Sequence, residues 1–243
     1  MTKDMAKNKR RKPELTWKFA WWFIWEDNSI LSWVANAVIA FILIKFIVYP
    51  GLGFMLDTSH PIVAVVSGSM EHKLTQTCIE YDTDSRGYSY CAKSSEDYFL
   101  CGKSFDEKER IHYDTYWNIC EEWYIKNTEI SKSYFRDFRF HNGFNTGDIM
   151  ILVGKEPENL KIGDVIVYQT ARPDPIIHRI VNIFEEDEKY YFQTKGDHNP
   201  GSNGDEYRIT EEQIIGKAVL RIPLLGWIKI GFVNMLGLEK IIG

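Results

Sequence analysis

An excess of positive charge is missing from this sequence. The formal net charge is -5, so the overall balance points to no nucleic-acid partner. There is no internal repeat and no low-complexity tract. Cysteine is scarce: Cys78, Cys91, Cys101 and Cys120 are the full set, and no two of them form a CxxC pair. A zinc knuckle would need that close spacing, so zinc is the weaker reading of these thiols. Basic residues are absent over a long stretch: between Lys18 and Lys73 the chain carries only Lys45.

That stretch holds the apolar run "ILSWVANAVIAFILIKFIVY", Ile30 to Tyr49. As a helix it is roughly 30 Å long, the thickness of a bilayer core. Pro50 and Gly51 are expected to end it. Trp33 and Tyr49 sit near its two ends, as interfacial aromatics do, and Lys45 is close enough to one end to snorkel. The competing reading is a buried core helix. Seven basic residues precede the run: Lys3, Lys7, Lys9, Arg10, Arg11, Lys12 and Lys18. The positive-inside rule then places the N-terminus in the cytoplasm and the chain after the span outside. A cleaved signal peptide fits poorly, because the run is long and no small-x-small site closes it. "WKFAWWFIW", Trp17 to Trp25, reads either as a helix on the inner leaflet or as the first turn of the anchor. Eight tryptophans and thirteen tyrosines agree with interfacial chemistry.

The expected organisation is a cytoplasmic segment (1–29), a transmembrane helix (30–49) and an extracytoplasmic domain (57–243). All four cysteines lie in that outer domain, where two disulfides are expected; three pairings are possible and the sequence does not choose. Residues 61–67, 147–154, 162–169, 176–184, 189–196 and 214–222 read as strands, short, rich in Val, Ile and Tyr, and bounded by turn residues. No long helices alternate with them, so the fold class is mainly β, a barrel or curled sheets. Residues 74–142 hold the cysteines and many polar side chains, and read as an inserted, disulfide-held subdomain. Within it, residues 106–125 have a loosely helical apolar spacing. The apolar stretch 222–238 either spans the membrane or touches its surface, and surface contact is the favoured reading.

"VVSGSMEHKL", residues 65–74, ends a strand on two serines. A serine attacks a carbonyl only when a base takes its proton. Of His60, His72, His112, His141, His178 and His198, His178 stands apart: it lies in the apolar strand "IIHRIV", where a neutral imidazole can accept a proton near neutral pH. Alone, a histidine on a strand is a packing residue. "TKGDHNPGSNGDEY", 194–207, supplies Asp197 and Asp205, which alone would be turn residues.

Taken in order, "SGSME", "GDIMILV", "IGDVIVY", "IIHRIV" and "KGDHN" resemble the sequence blocks of the type I signal peptidases. The histidine resembles the archaeal and endoplasmic-reticulum branch of that family, peptidase family S26. The resemblance implies a signal-peptidase-type coiled β-sheet domain behind one N-terminal transmembrane helix, with the 74–142 insert outside the match. It implies Ser69 as nucleophile and His178 as general base. Asp205 is the expected carboxylate partner, with Asp197 as the alternative. Ser67 and Met70 fall at oxyanion and substrate-binding positions. It implies no metal and no cofactor. His72 stands where the family often has proline, either as a harmless turn residue or near the cleft.

The implied activity is a membrane-bound serine endopeptidase that removes N-terminal signal peptides from exported preproteins at the outer membrane face. Its implied partners are signal peptides, the lipid bilayer and the secretion translocon. The implied location is the cell membrane, or the lumenal face for an endoplasmic-reticulum protein. The alternatives are a related peptidase specialised for a few surface proteins, and an inactive anchored scaffold. The scaffold reading predicts a missing nucleophile or base, and both residues are present.

Overall fold

The computed structural model describes residues 17–83, 89–172, 174–228 and 231. The basic residues at 1–16 and most of the apolar tail beyond 228 lie outside them. The chain divides into two compact units, one ending at Leu52 and one starting at Gly53.

The first unit begins with helix α1 (Trp17–Trp25), followed by α2 (Ile30–Leu43). Ser29 caps α2, its hydroxyl accepting the Ser32 N–H at 3.2 Å. The Asn36 side-chain amide donates to the Ile24 carbonyl at 2.8 Å and ties the two helices together. The chain does not stop at Pro50. It passes through a π-helical turn, Ile44–Val48, into α3 (Tyr49–Leu56). Proline lacks an N–H and its ring crowds the carbonyl four residues back. Widening the turn just before it, with the Tyr49 N–H reaching the Ile44 carbonyl, lets the helix run on. The helix ends at Leu56, where Asp57 takes φ 50° and the Thr58 N–H turns back to the Gly53 carbonyl. Ile30–Leu56, 27 residues with mean hydropathy 2.2, is long and apolar enough to cross a membrane.

In the second unit an antiparallel sheet has seven strands in the order β1-β5-β10-β6-β7-β8-β9 among the described residues. These are β1 (Ile62–Ala64), β5 (Ile149–Val153), β6 (Val165–Tyr168), β7 (Ile176–Glu186), β8 (Lys189–Lys195), β9 (Ile209–Thr210) and β10 (Ile214–Ile222). The strand β6 lies between β10 and β7 and is buried along its whole length. Its alternation feeds two cores. Val165 and Val167 pack with Met150, Leu152 and Phe144, while Ile166 and Tyr168 pack with Ile180, Phe192 and Ile209. Each such aliphatic side chain, fully buried, contributes about 1.5–3 kcal/mol. β1 is shorter than the expected 61–67, because the chain turns away from the sheet at Ser67.

Residues 74–142 form a second sheet, β2 (Thr75–Thr83), β3 (Ser89–Leu100) and β4 (Lys103–Phe105), then α4 (Tyr113–Asn127) and α5 (Lys132–Arg136). Two disulfides, Cys78–Cys91 and Cys101–Cys120, select one of the three open pairings. The insert's core of Leu100, Tyr116, Trp117, Tyr124, Phe135 and neighbours also takes in Val181 from β7. The insert therefore shares its core with the main sheet.

Candidate active site

Ser69 sits in the turn that follows β1. That turn is closed by the Glu71 N–H on the Gly68 carbonyl at 3.0 Å. It is also pinned from the far side of the site, where the His198 N–H donates to the Ser69 carbonyl at 2.8 Å. β7 brings in His178, paired in register with Ile166 of β6. The His178 Nε2 lies 2.9 Å from the Ser69 Oγ, across 109 residues of sequence. Its other nitrogen, Nδ1, is hydrogen-bonded to the Glu206 carboxylate Oε1. His178 is 6% exposed and Glu206 2%. The second oxygen of Glu206 accepts the Asn203 N–H at 2.6 Å, which fixes the carboxylate's direction. Ser, His and carboxylate thus form one continuous hydrogen-bonded chain, the arrangement in which a histidine removes a serine proton and a carboxylate steadies the resulting charge.

The expected carboxylates are elsewhere. Asp205, one residue from Glu206, is turned to the surface, where its side chain is 58% exposed and faces Arg172 Nε at 3.9 Å. Asp197 is fully buried but engaged by Arg179, which donates from Nε at 2.9 Å and Nη2 at 2.7 Å. The carboxylate on His178 is Glu206. Its only sequence signal is the spacing Asn203 to Glu206, a capping box around the 3-10 turn Gly204–Glu206. In that motif the fourth residue folds back toward the first, so Glu206 turns inward while Asp205 points out.

Ser67 Oγ is 3.2 Å from Ser69 Oγ, beside the reacting atom. Met70, expected to meet substrate, instead faces the core: it is 1% exposed, and its sulfur accepts the Asp197 N–H at 3.4 Å. His72 is drawn into the site's supporting layer. Its Nε2 lies 2.9 Å from Asp197 Oδ2, and its ring stacks on Tyr116 with centroids 3.5 Å apart. At Gly196 a side chain has no room. A Cβ there would lie 2.8 Å from both His178 Nε2 and the Ser69 carbonyl oxygen.

Charge in the supporting layer follows from burial and pairing. Burial alone would push the Asp197 carboxyl up, but the Arg179 guanidinium and the His72 hydrogen bond hold it well below the usual carboxylate range. Burial pushes His72 and His198 down, outweighing Asp197 beside His72 and the Glu71 carbonyl beside His198. Burial also pushes the Lys195 amine down to about 8, against the pull of Asp197 and Glu206.

The two histidines predict a pH dependence of stability. An unfolded histidine takes up a proton near pH 6.5, while the folded ones stay neutral to lower pH. Stability is therefore full above about pH 7 and falls as the pH drops through about 6.5, at up to ~1.4 kcal/mol per pH unit for each histidine. Denaturant unfolding from pH 8 to 5 measures the slope, and His72→Gln lowers it. A flat profile across that range contradicts the account.

No model of a known protein family matches the chain. Among curated proteins, the signal peptidase complex catalytic subunit sec11 of Sclerotinia sclerotiorum is 32% identical over 116 residues, 41% of this chain and 67% of that protein. The corresponding subunit of Colletotrichum graminicola is 28% identical over the same shares of the two chains. That of Ogataea parapolymorpha is 32% identical over 104 residues, 36% of this chain and 58% of that protein. This chain belongs to the signal peptidase family. It is a serine peptidase of the histidine-using type, and the hydrogen-bonded Ser69 and His178 are the pair that such chemistry needs. The signal peptidase fold expected from the sequence blocks is the mainly β architecture described above.

Proposed function

We infer that the chain is a membrane-anchored serine endopeptidase that removes N-terminal signal peptides from exported preproteins. The single observation that carries this reading is the chain Ser69 Oγ, His178, Glu206, buried at its inner end and open at the serine. His178 takes the proton of Ser69 as the hydroxyl attacks the scissile carbonyl. Glu206 holds the imidazole in the right tautomer and stabilises the imidazolium. The developing oxyanion meets the Ser69 backbone N–H and the Ser67 hydroxyl, donors placed where the negative charge grows. Collapse expels the mature protein's amino group, which receives the proton from His178. Water, activated by the same histidine, then releases the signal peptide from Ser69.

The apolar helix Ile30–Leu56 supports the anchoring. The basic residues ahead of it support a cytoplasmic N-terminus with the peptidase domain on the opposite face, outside the cell or in a lumen. Tethering enzyme and preprotein to one membrane raises their effective concentration. The relatives are named as catalytic subunits of a complex, which supports partner subunits for this chain too, beside the translocon from which preproteins emerge.

The test is cleavage of a membrane-inserted preprotein by the full chain in lipid vesicles. The expected result is a single cut after a small residue, lost in Ser69→Ala. Cleavage by Ser69→Ala at the wild-type rate would remove Ser69 as the nucleophile, and a wild-type chain that does not cleave would favour the scaffold reading.

A further inference from the structure

The insert is not shared by the sequence blocks that carry the family resemblance, yet it reaches the site. The segment 195–201 has one side against the reacting groups, where Gly196 abuts His178 Nε2 and the His198 N–H holds the Ser69 carbonyl. Its other side is gripped by the insert. The Cys101 N–H donates to the His198 carbonyl at 2.9 Å, and the Tyr116 hydroxyl donates to the Asp197 carbonyl at 2.9 Å. The Lys195 ammonium lies over the Tyr124 ring, 4.9 Å from its centre. Pro200 fits against Gly102, where a Cβ would come within 2.8 Å of the proline Cβ. Cys101 and Tyr116 are fixed to each other through the Cys101–Cys120 disulfide, since Cys120 lies one helical turn along α4 from Tyr116. The same segment then runs on to Glu206.

We propose that the insert is a positioning element for the peptidase site, with Tyr116 and the Cys101–Cys120 disulfide setting how closely segment 195–201 presses on Ser69 and His178. This rests on the Ser69–His178–Glu206 reading above. Loosening the grip leaves the substrate surface in place and moves the base relative to the nucleophile. A misplacement of about 1 Å can cost ~10²-fold in rate. The disulfide is open from one side: Cys101 is partly exposed at a cavity of about 300 Å³ that Trp123 and Pro200 also line, while Cys120 behind it is 2% exposed.

The experiment measures kcat and KM separately, with the full chain in lipid vesicles. Tyr116→Phe keeps the ring on His72 and removes the hydroxyl that donates to the Asp197 carbonyl, together with its longer 3.5 Å contact to the Tyr124 hydroxyl. Its kcat falls about tenfold with KM unchanged within twofold. It also moves the acid limb of the kcat/KM profile to lower pH, as the imidazolium loses part of its carboxylate support. Tyr113→Phe removes a comparable insert hydrogen bond, to the Lys132 carbonyl at 2.6 Å, and keeps the wild-type rate. In a Cys78→Ser/Cys91→Ser chain, dithiothreitol opens only Cys101–Cys120. Activity then drops with reduction and returns on reoxidation. If Ser69→Ala is inactive while Tyr116→Phe and the reduced chain both keep the wild-type kcat, the insert does not position the site. If Ser69→Ala itself is active, the reading of the site fails first, and this proposal with it.

Discussion

Glu206→Gln lowers kcat by about 10⁴ while the protein stays folded, and Asp205→Asn leaves kcat unchanged. The size follows from the part the carboxylate plays. Glu206 accepts from His178 Nδ1, so Nε2 is left bare and able to take the Ser69 proton. A glutamine amide can donate to Nδ1 instead, which places the proton on Nε2 and leaves no base facing the serine. The corresponding exchange in the chymotrypsin triad costs about 10⁴, while loss of the nucleophile or base in a serine protease costs ~10⁶. Ser69→Ala and His178→Ala should therefore fall below Glu206→Gln, and all three should melt close to the wild type. Asp205 is the matched control, because it neighbours Glu206 in sequence and reaches only Arg172 at the surface. Single-turnover cleavage of a preprotein separates the variants. A Glu206→Gln enzyme within tenfold of wild type, or an Asp205→Asn enzyme as impaired as Glu206→Gln, would refute the assignment.

Arg179→Met destabilises the protein by about 3–5 kcal/mol, the cost of stranding one partner of a buried ion pair. Arg179 is wholly buried, and its guanidinium also donates to three carbonyls: Gly163 at 2.9 Å, Arg139 at 3.0 Å and Phe140 at 2.9 Å. Removing it leaves those acceptors bare and Asp197 with His72 as its remaining side-chain partner. Against a typical total of 5–15 kcal/mol, the loss is large. Arg179→Met/Asp197→Asn should recover part of it, because the stranded charge is then gone and the two changes are not additive. Thermal unfolding of the set decides. A double variant that falls by the sum of the two single losses would show that the residues act independently.

The sequence made Ser69 and His178 legible because each stands in a contrasting setting, a serine past an apolar strand and a histidine within one. The strands of the main sheet other than β9 were legible for the same reason, being short runs rich in Val, Ile and Tyr cut by turn residues; β9, two residues long, is too short to leave a pattern. The insert's strands were not. "TQTCIEYDT" and "SYCAKSSEDYFL" hold one Ile and no Val between them, and their pairing is held by backbone ladders and a disulfide. Pro50 read as a stop because proline removes a helix hydrogen bond; the π turn ahead of it depends on backbone geometry that composition does not show. Glu206 was missed by one position. A carboxylate's direction is decided by the turn that carries it, and the capping geometry at Asn203 turns the glutamate, rather than its neighbour, toward His178. Pairing of the cysteines was open until the insert's fold brought Cys101 to α4.

The 109 residues between Ser69 and His178 also set a clock. A ribosome adds ~5–20 residues per second, so on the order of ten seconds separate the appearance of Ser69 from that of His178. Glu206 follows 28 residues later. During that interval the apolar helix and the Ser69 turn exist without His178, and the nascent chain lacks the pair that serine-peptidase chemistry needs. Its own synthesis delays assembly of the Ser69–His178–Glu206 chain until β7, β8 and the 203–206 turn have folded onto the sheet.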